Sequence, residues 1–294
     1  MSQSPISVWC MASRPKTLPA ALAPVLIGSA MALADGAAHL WSALAAAGGA
    51  LLIQIGTNFT NDYLDFKKGV DQSDRLGPTR VTQAGLVTPN AMKRAIVIAF
   101  GLAFLLGIYL VYRGGWPIVI IGLSSITFGV LYTAGRFSLS RTGLADIFVL
   151  FFFGPVAVGG TYYVQALQID SNVIISGLAP GFFSMAILTV NNLRDIDTDT
   201  RAGKKTLPVR WGRTFARIEY LILVILASVV PLILTLRAHN HYYSLAAVLV
   251  IPAALPSIKT VFTSVDGPAL NNTLASTGRL LLLYSVIFSV GWVL

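Results

Sequence analysis

Apolar residues fall along this chain in nine long blocks, and polar residues gather between them. The blocks cover roughly 18–34, 41–62, 95–112, 116–133, 146–165, 173–193, 218–236, 243–261 and 279–294. Each is close to the roughly 20 apolar residues that cross the hydrocarbon of a bilayer. No water is available there to satisfy backbone N–H and C=O groups, so helices are the predicted form. Internal breakers such as Pro24, Gly154-Pro155 and Pro231 are tolerated better in transmembrane helices than in soluble ones. The pattern predicts an all-α, multi-pass transmembrane bundle of about nine helices, forming a single domain over residues 1–294.

Composition strengthens this. Hydrophobic types make up 55% of the 294 residues and charged types only 11%. A soluble globular domain carries roughly 25% charged residues. The lone cysteine, Cys10, excludes an internal disulfide. A net charge of +9 would suit nucleic acid, but basic loops held on the cytoplasmic side explain it better.

The charges set a topology. With a cytoplasmic N-terminus, the connections between blocks 2–3, 4–5, 6–7 and 8–9 are cytoplasmic. Of the 21 Lys and Arg, only Arg113 and Arg237 then fall outside that side or its flanks. All three histidines (His39, His239 and His241) lie in outer connections, which argues against histidine chemistry on the charged face. The first block has the flanks of a signal peptide, with Arg14 and Lys16 ahead of it and Ala32-Leu33-Ala34 at its end. Its length and the charge alternation favour a retained span. The expected setting is a bacterial plasma membrane or a thylakoid.

Two long cytoplasmic connections, 63–94 and 194–217, carry the candidate chemistry. The helix end feeding the first holds Asn58, Asn61, Asp62 and Asp65, with Asp71 and Asp74 downstream. The second holds Asn191, Asp195 and Asp199. At roughly 100° per residue, each of the two sets Asn58-Asn61-Asp62-Asp65 and Asn191-Asp195-Asp199 shares one helical face. Asp197 points the other way and is expected to be solvated. Like charges on one face repel unless a cation lies between them, and oxygen-only ligands suit Mg²⁺. Such faces, bound to Mg²⁺, would hold a diphosphate. Asp62, Asp65, Asp195 and Asp199 are therefore the catalytic candidates, and Asn58, Asn61 and Asn191 join them as metal ligands.

The spacing repeats. Asn58-x-x-x-Asp62 and Asn191-x-x-x-Asp195 end the second and sixth blocks. This suggests two four-helix units, blocks 1–4 and 5–8, with block nine added.

Basic residues surround the acidic ones. Arg80, Arg136, Arg141 and Lys204 are the candidate diphosphate ligands, because Arg and Lys grip phosphate oxygens through charge-assisted hydrogen bonds. Lys16, Asp71, Asp74 and Tyr132 complete the substrate-binding candidates. The nearly uncharged helix interiors would form an apolar chamber for an isoprenoid tail, with Phe151-Phe152-Phe153, Tyr162 and Tyr163 as contributors.

At these residues the chain resembles the UbiA superfamily of intramembrane aromatic prenyltransferases. The resemblance rests on Asn61-Asp62-x-x-Asp65 and Asp195-x-x-x-Asp199, and it covers nearly the whole chain. Within the superfamily it is most similar to the branch that prenylates 1,4-dihydroxy-2-naphthoate in menaquinone and phylloquinone synthesis. The matching stretches include Arg14-Pro-Lys-Thr-Leu-Pro19, Asp74-Arg-Leu-Gly-Pro-Thr-Arg80, Gly143-Leu-Ala-Asp146, Asn191-Asn-Leu-Arg-Asp195 and Gly203-Lys-Lys-Thr206. Many members carry a further Asp where this chain has Gly69.

The resemblance implies a Mg²⁺-dependent transfer of a prenyl or phytyl group from an isoprenoid diphosphate to dihydroxynaphthoate, with loss of CO₂ and diphosphate. Its implied partners are those two substrates and membrane lipid, with no nucleic acid. Haem O, chlorophyll and homogentisate acceptors remain alternatives, as does an ion-coupled transporter. Transporters place ionisable residues near the bilayer midplane. The midpoints of blocks two and six fall near Ile53 and Phe183, away from the acidic clusters.

Overall fold

The computed structural model describes residues 4–68, 77, 79–132 and 138–294. The helices are α1 (Pro5–Ser13), α2 (Pro19–Ala34), α3 (Leu40–Lys68), α4 (Pro89–Gly114), α5 (Trp116–Leu131), α6 (Ala145–Phe152), α7 (Pro155–Ala166), α8 (Ser171–Ser176), α9 (Leu178–Arg194), α10 (Ile196–Arg201), α11 (Leu207–Ala238), α12 (Val250–Thr263) and α13 (Gly267–Val293). Among the described residues there is no strand, only a single bridge between Thr142 and Lys205.

These helices return the nine apolar blocks. Among the described residues, seven continuous or gently broken stretches are long and apolar enough to cross a membrane. The α1–α2 pair, bent by 58°, supplies an eighth, and the shorter apolar α5 fills the remaining block. The bend has a local cause: Arg14 takes a left-handed φ of 53° between Ser13 and Pro15. Block seven begins earlier than its apolar run suggests. α11 starts at Leu207 and is kinked at Gly212, whose φ of 84° no helix interior allows. Large apolar side chains such as Val97, Leu105 and Ile120 are exposed on the outside of the bundle. This is the surface of an integral membrane protein, because lipid tails accept apolar side chains without penalty.

α9 lies at the centre. Phe183, Ala186, Val190 and Leu193 on it are buried with Tyr220, Val224 and Ala227 of α11 and Leu281, Tyr284 and Phe288 of α13. Phe183 and Tyr284 pack with ring centroids 5.5 Å apart, and the stack continues through Phe288 to Trp292. Glycines allow one close crossing. A Cβ at Gly154, between α6 and α7, would lie 2.6 Å from the carbonyl oxygen of Gly177, between α8 and α9. A Cβ at Gly181 would lie 2.5 Å from Leu150 O. Small residues allow such backbone proximity where no hydrophobic effect drives helices together.

At the helix ends remote from the acidic motifs, polar groups satisfy each other. Tyr162 Oη donates to Asp35 Oδ2 at 2.6 Å, and Arg113 donates to Gln165 O at 3.3 Å. Both outlying arginines of the sequence pattern lie on that side, since Arg237 reaches Asn172 beyond α7.

Candidate active site

The last turns of α3 and α9 open onto one cavity of about 1040 Å³. Asn58, Asn61 and Asp65 line it from α3, Asn191 from α9, Asp195 from the α9–α10 junction and Asp199 from α10. Arg14, Arg80, Tyr132, Arg141, Arg201 and Lys204 line the same polar end. The wall continues into apolar and small side chains, among them Ala46, Gly49, Ala103, Gly107, Gly122, Phe128 and Phe152. Phe128 packs against Phe148 and Phe152 with centroid separations of 4.6 and 5.0 Å.

Not every predicted residue faces this space. Asp62 is 3% exposed and is not in the cavity wall. Its carboxylate accepts the backbone N–H of Val81 at 3.0 Å and of Thr82 at 3.1 Å. It therefore pins the segment that carries Arg80. Arg80, itself buried, donates through a guanidinium nitrogen to Asp65 Oδ2, which ties that segment back to α3 a second time. Lys16 is exposed on the Pro15–Thr17 turn and also lies outside the wall. Asp71, Asp74 and Arg136 lie outside the described residues. Asp197 is exposed, as its helical phase requires, and pairs with Arg213 at 2.6 Å.

Of the aromatic contributors, Phe152 and Phe153 line the cavity and Phe151 is exposed. Tyr162 and Tyr163 are occupied elsewhere, donating to Asp35 and to Gly114 O.

The second motif is organised by a residue the spacing argument passed over. Arg194 is buried behind the wall. It forks onto its neighbour Asp195, with Nε at 2.7 Å from Oδ1 and a terminal nitrogen at 2.6 Å from Oδ2. It also donates to Asn191 Oδ1 at 2.8 Å and to Asn271 Oδ1 at 2.6 Å. A guanidinium has five donors and no acceptor, so this one group satisfies three side chains at once. Asn271 sits on α13, and nothing in its own neighbourhood of the sequence signals the role.

Lys204 Nζ donates to Asp199 Oδ1 at 2.7 Å, and the Lys204 N–H donates to Asp199 O at 2.9 Å. Burial raises the Asp199 carboxyl above its ordinary range, and the Lys204 charge opposes that rise. Arg141 donates to Ala202 O at 2.8 Å and its carbonyl accepts from Lys205 N, so the 138–144 and 202–206 segments are stitched together.

Which cation fits? The donors on the wall are oxygens, and no His or Cys is among them. Among the described residues, no three acidic, His or Cys side chains converge as a ready-made cage. Mg²⁺ does not require one: it takes one or two carboxylates, several waters and substrate phosphate oxygens. The donor set therefore fits a hard divalent cation completed by a phosphorylated ligand.

The profile of the UbiA prenyltransferase family matches residues 21–286. The 1,4-dihydroxy-2-naphthoate octaprenyltransferase of Mycobacterium tuberculosis is 37% identical, over 95% of this chain and 94% of that one. The protein of the same description from Haemophilus influenzae is 34% identical over 99% and 97%. Among solved structures, a UbiA homologue from Archaeoglobus fulgidus bound to DMAPP and Mg²⁺ superposes with a TM-score of 0.65 at 14% identity, covering 96% of this chain and 99% of that one. An apo UbiA homologue from Aeropyrum pernix gives 0.68 at 14% identity, covering 95% and 97%.

Proposed function

The chain belongs to the UbiA prenyltransferase family, and from that premise we propose that it transfers a prenyl group from an isoprenoid diphosphate to 1,4-dihydroxy-2-naphthoate. The observation that carries this reading is the shared cavity. Oxygen donors and basic side chains crowd its polar end, and an apolar wall extends behind them. An amphipathic substrate with a charged head and a hydrocarbon tail has that distribution.

Arg80, Arg141 and Lys204 bind and orient the diphosphate by charge-assisted hydrogen bonds. Asn61, Asp65, Asp195 and Asp199 are the side chains we assign to Mg²⁺. When bound, Mg²⁺ neutralises the negative charge that grows on the leaving diphosphate. The C–O bond to the allylic carbon breaks, and the electron pair leaves with the diphosphate. The apolar wall keeps water from the resulting cation. The naphthoate ring carbon bearing the carboxylate forms the new C–C bond. The C–CO₂⁻ bond then breaks, its electron pair restores the ring, and CO₂ departs. No external proton or oxidant is needed. The relatives described as 1,4-dihydroxy-2-naphthoate octaprenyltransferases support the naphthoate acceptor, whose product feeds menaquinone synthesis. The basic loops support a cavity mouth on the cytoplasmic face of a bacterial plasma membrane or a thylakoid.

The test is direct. Purified protein is incubated with Mg²⁺, a series of prenyl diphosphates and a panel of acceptors, and products are read by mass. We expect a prenylated, decarboxylated product from dihydroxynaphthoate, abolished by EDTA and restored by Mg²⁺. Turnover only with haem, chlorophyllide or homogentisate would overturn the acceptor. EDTA-insensitive turnover would overturn the metal.

A further inference from the structure

Asn58 and Asn191 look equivalent in sequence, each four residues ahead of an Asp at the end of a helix. The structure gives them different surroundings. Asn58 Nδ2 donates to Ser13 O at 2.9 Å and to Thr17 Oγ1 at 3.2 Å. A backbone carbonyl cannot donate, so the amide orientation is fixed and the nitrogen must face Ser13. Asn58 Oδ1 is the atom those bonds leave over. At Asn191 the polarity is reversed. Its Oδ1 accepts from Arg194 at 2.8 Å, and a guanidinium cannot accept, so the oxygen must face Arg194. The atom left over is Nδ2. Both residues line the cavity, whereas Arg194 does not.

We infer that the two asparagines present opposite ends of their amides to the ligand: Asn58 a carbonyl oxygen that takes the divalent cation, Asn191 an N–H pair that grips a diphosphate oxygen. The two asparagines thus divide the work, while Asp65, Asp195 and Asp199 keep the cation role. The α3 half offers Asn58 to the cation, and the α9 half offers Asn191 to the anion as a donor that carries no charge. By spacing alone Asn191 is a metal ligand. Arg194 instead turns that oxygen toward its guanidinium and leaves the amide N–H pair as the group not committed to it. This inference rests on the diphosphate–Mg²⁺ reading above and assigns roles within it.

The test uses the full-length protein in detergent with a non-hydrolysable prenyl thiolodiphosphate and Mn²⁺ in place of Mg²⁺. Two quantities are read. One is the Mn²⁺ midpoint for analogue binding after EDTA stripping, at an analogue concentration well below its Kd. The other is the analogue Kd at saturating Mn²⁺. Asn191→Asp keeps an acceptor for Arg194 and places negative charge where the amide donor stood. It should raise the analogue Kd about tenfold or more and leave the Mn²⁺ midpoint within about twofold. Asn58→Asp should lower the Mn²⁺ midpoint and leave the saturating-metal Kd within about twofold. Asn58→Ala removes the oxygen without adding charge and should raise that midpoint, which keeps the metal arm readable if Asn58→Asp does not fold. Both positions shifting the same quantity in the same direction, or neither shifting either, overturns the inference. If the unaltered protein binds no analogue at any Mn²⁺ concentration, the diphosphate–metal reading itself fails.

Discussion

Arg194 donates to Asn271 Oδ1 across 2.6 Å and so joins the end of α9 to α13, 77 residues further along the chain. The same guanidinium holds both oxygens of Asp195. Asp195 is therefore aimed by a scaffold that reaches the last helix, and its charge is balanced from behind while its cavity side stays open to a ligand.

Arg194→Met should cut kcat/KM by about 100-fold or more, since it removes several hydrogen bonds to charged or buried partners and leaves Asp195 without its counter-charge. Asn271→Ala removes one of them and should cost about tenfold. Steady-state assays over a Mg²⁺ series check both. Equal, near-normal efficiencies would show that Asp195 needs no support.

Asp62 holds the Arg80 segment and does not face the cavity, so its loss should act through that segment. An Asp62→Asn amide offers one acceptor oxygen where two N–H groups are bound, at roughly 1–3 kcal/mol for the orphaned donor. Hydrogen exchange at Val81 and Thr82 should accelerate, and diphosphate KM should rise. Unchanged exchange with vanished turnover would instead put Asp62 in the chemistry.

Gly107 and Gly122 line the apolar part of the cavity, and a Cβ added at either meets nothing within 4 Å. Gly107→Leu and Gly122→Leu should therefore fold and fill tail space. Turnover of the longest accepted diphosphate should fall about tenfold or more, with geranyl diphosphate little affected. A product-mass profile across chain lengths reads this. A uniform loss at every length would place the tail elsewhere.

Gly181 sits at the crossing with Leu150, and a Cβ there has no room beside a carbonyl oxygen. Gly181→Ala should destabilise the bundle by roughly 1–3 kcal/mol. Gly101, where an added Cβ meets nothing, is the control: Gly101→Ala should be neutral or slightly stabilising. Thermal unfolding in detergent compares the two.

Hydrophobic patterning along the chain determined most of the architecture, because lipid leaves the backbone little choice but helix and each span must be long and apolar. The ends of α3 and α9 were legible as chemistry for a related reason: carboxylates and amides are rare in such a chain, and helical phase alone separates Asp195 and Asp199 from Asp197. Tertiary structure decided what those side chains face. Phase placed Asp62 on the same face as Asp65, yet the returning segment at Val81 and Thr82 claims its carboxylate. Spacing made Asn58 and Asn191 alike, yet Ser13 turns one amide and Arg194 turns the other. Sequence period fixes the direction of a Cβ. The partners that orient an amide or balance a charge arrive from distant helices, and only packing brings them together.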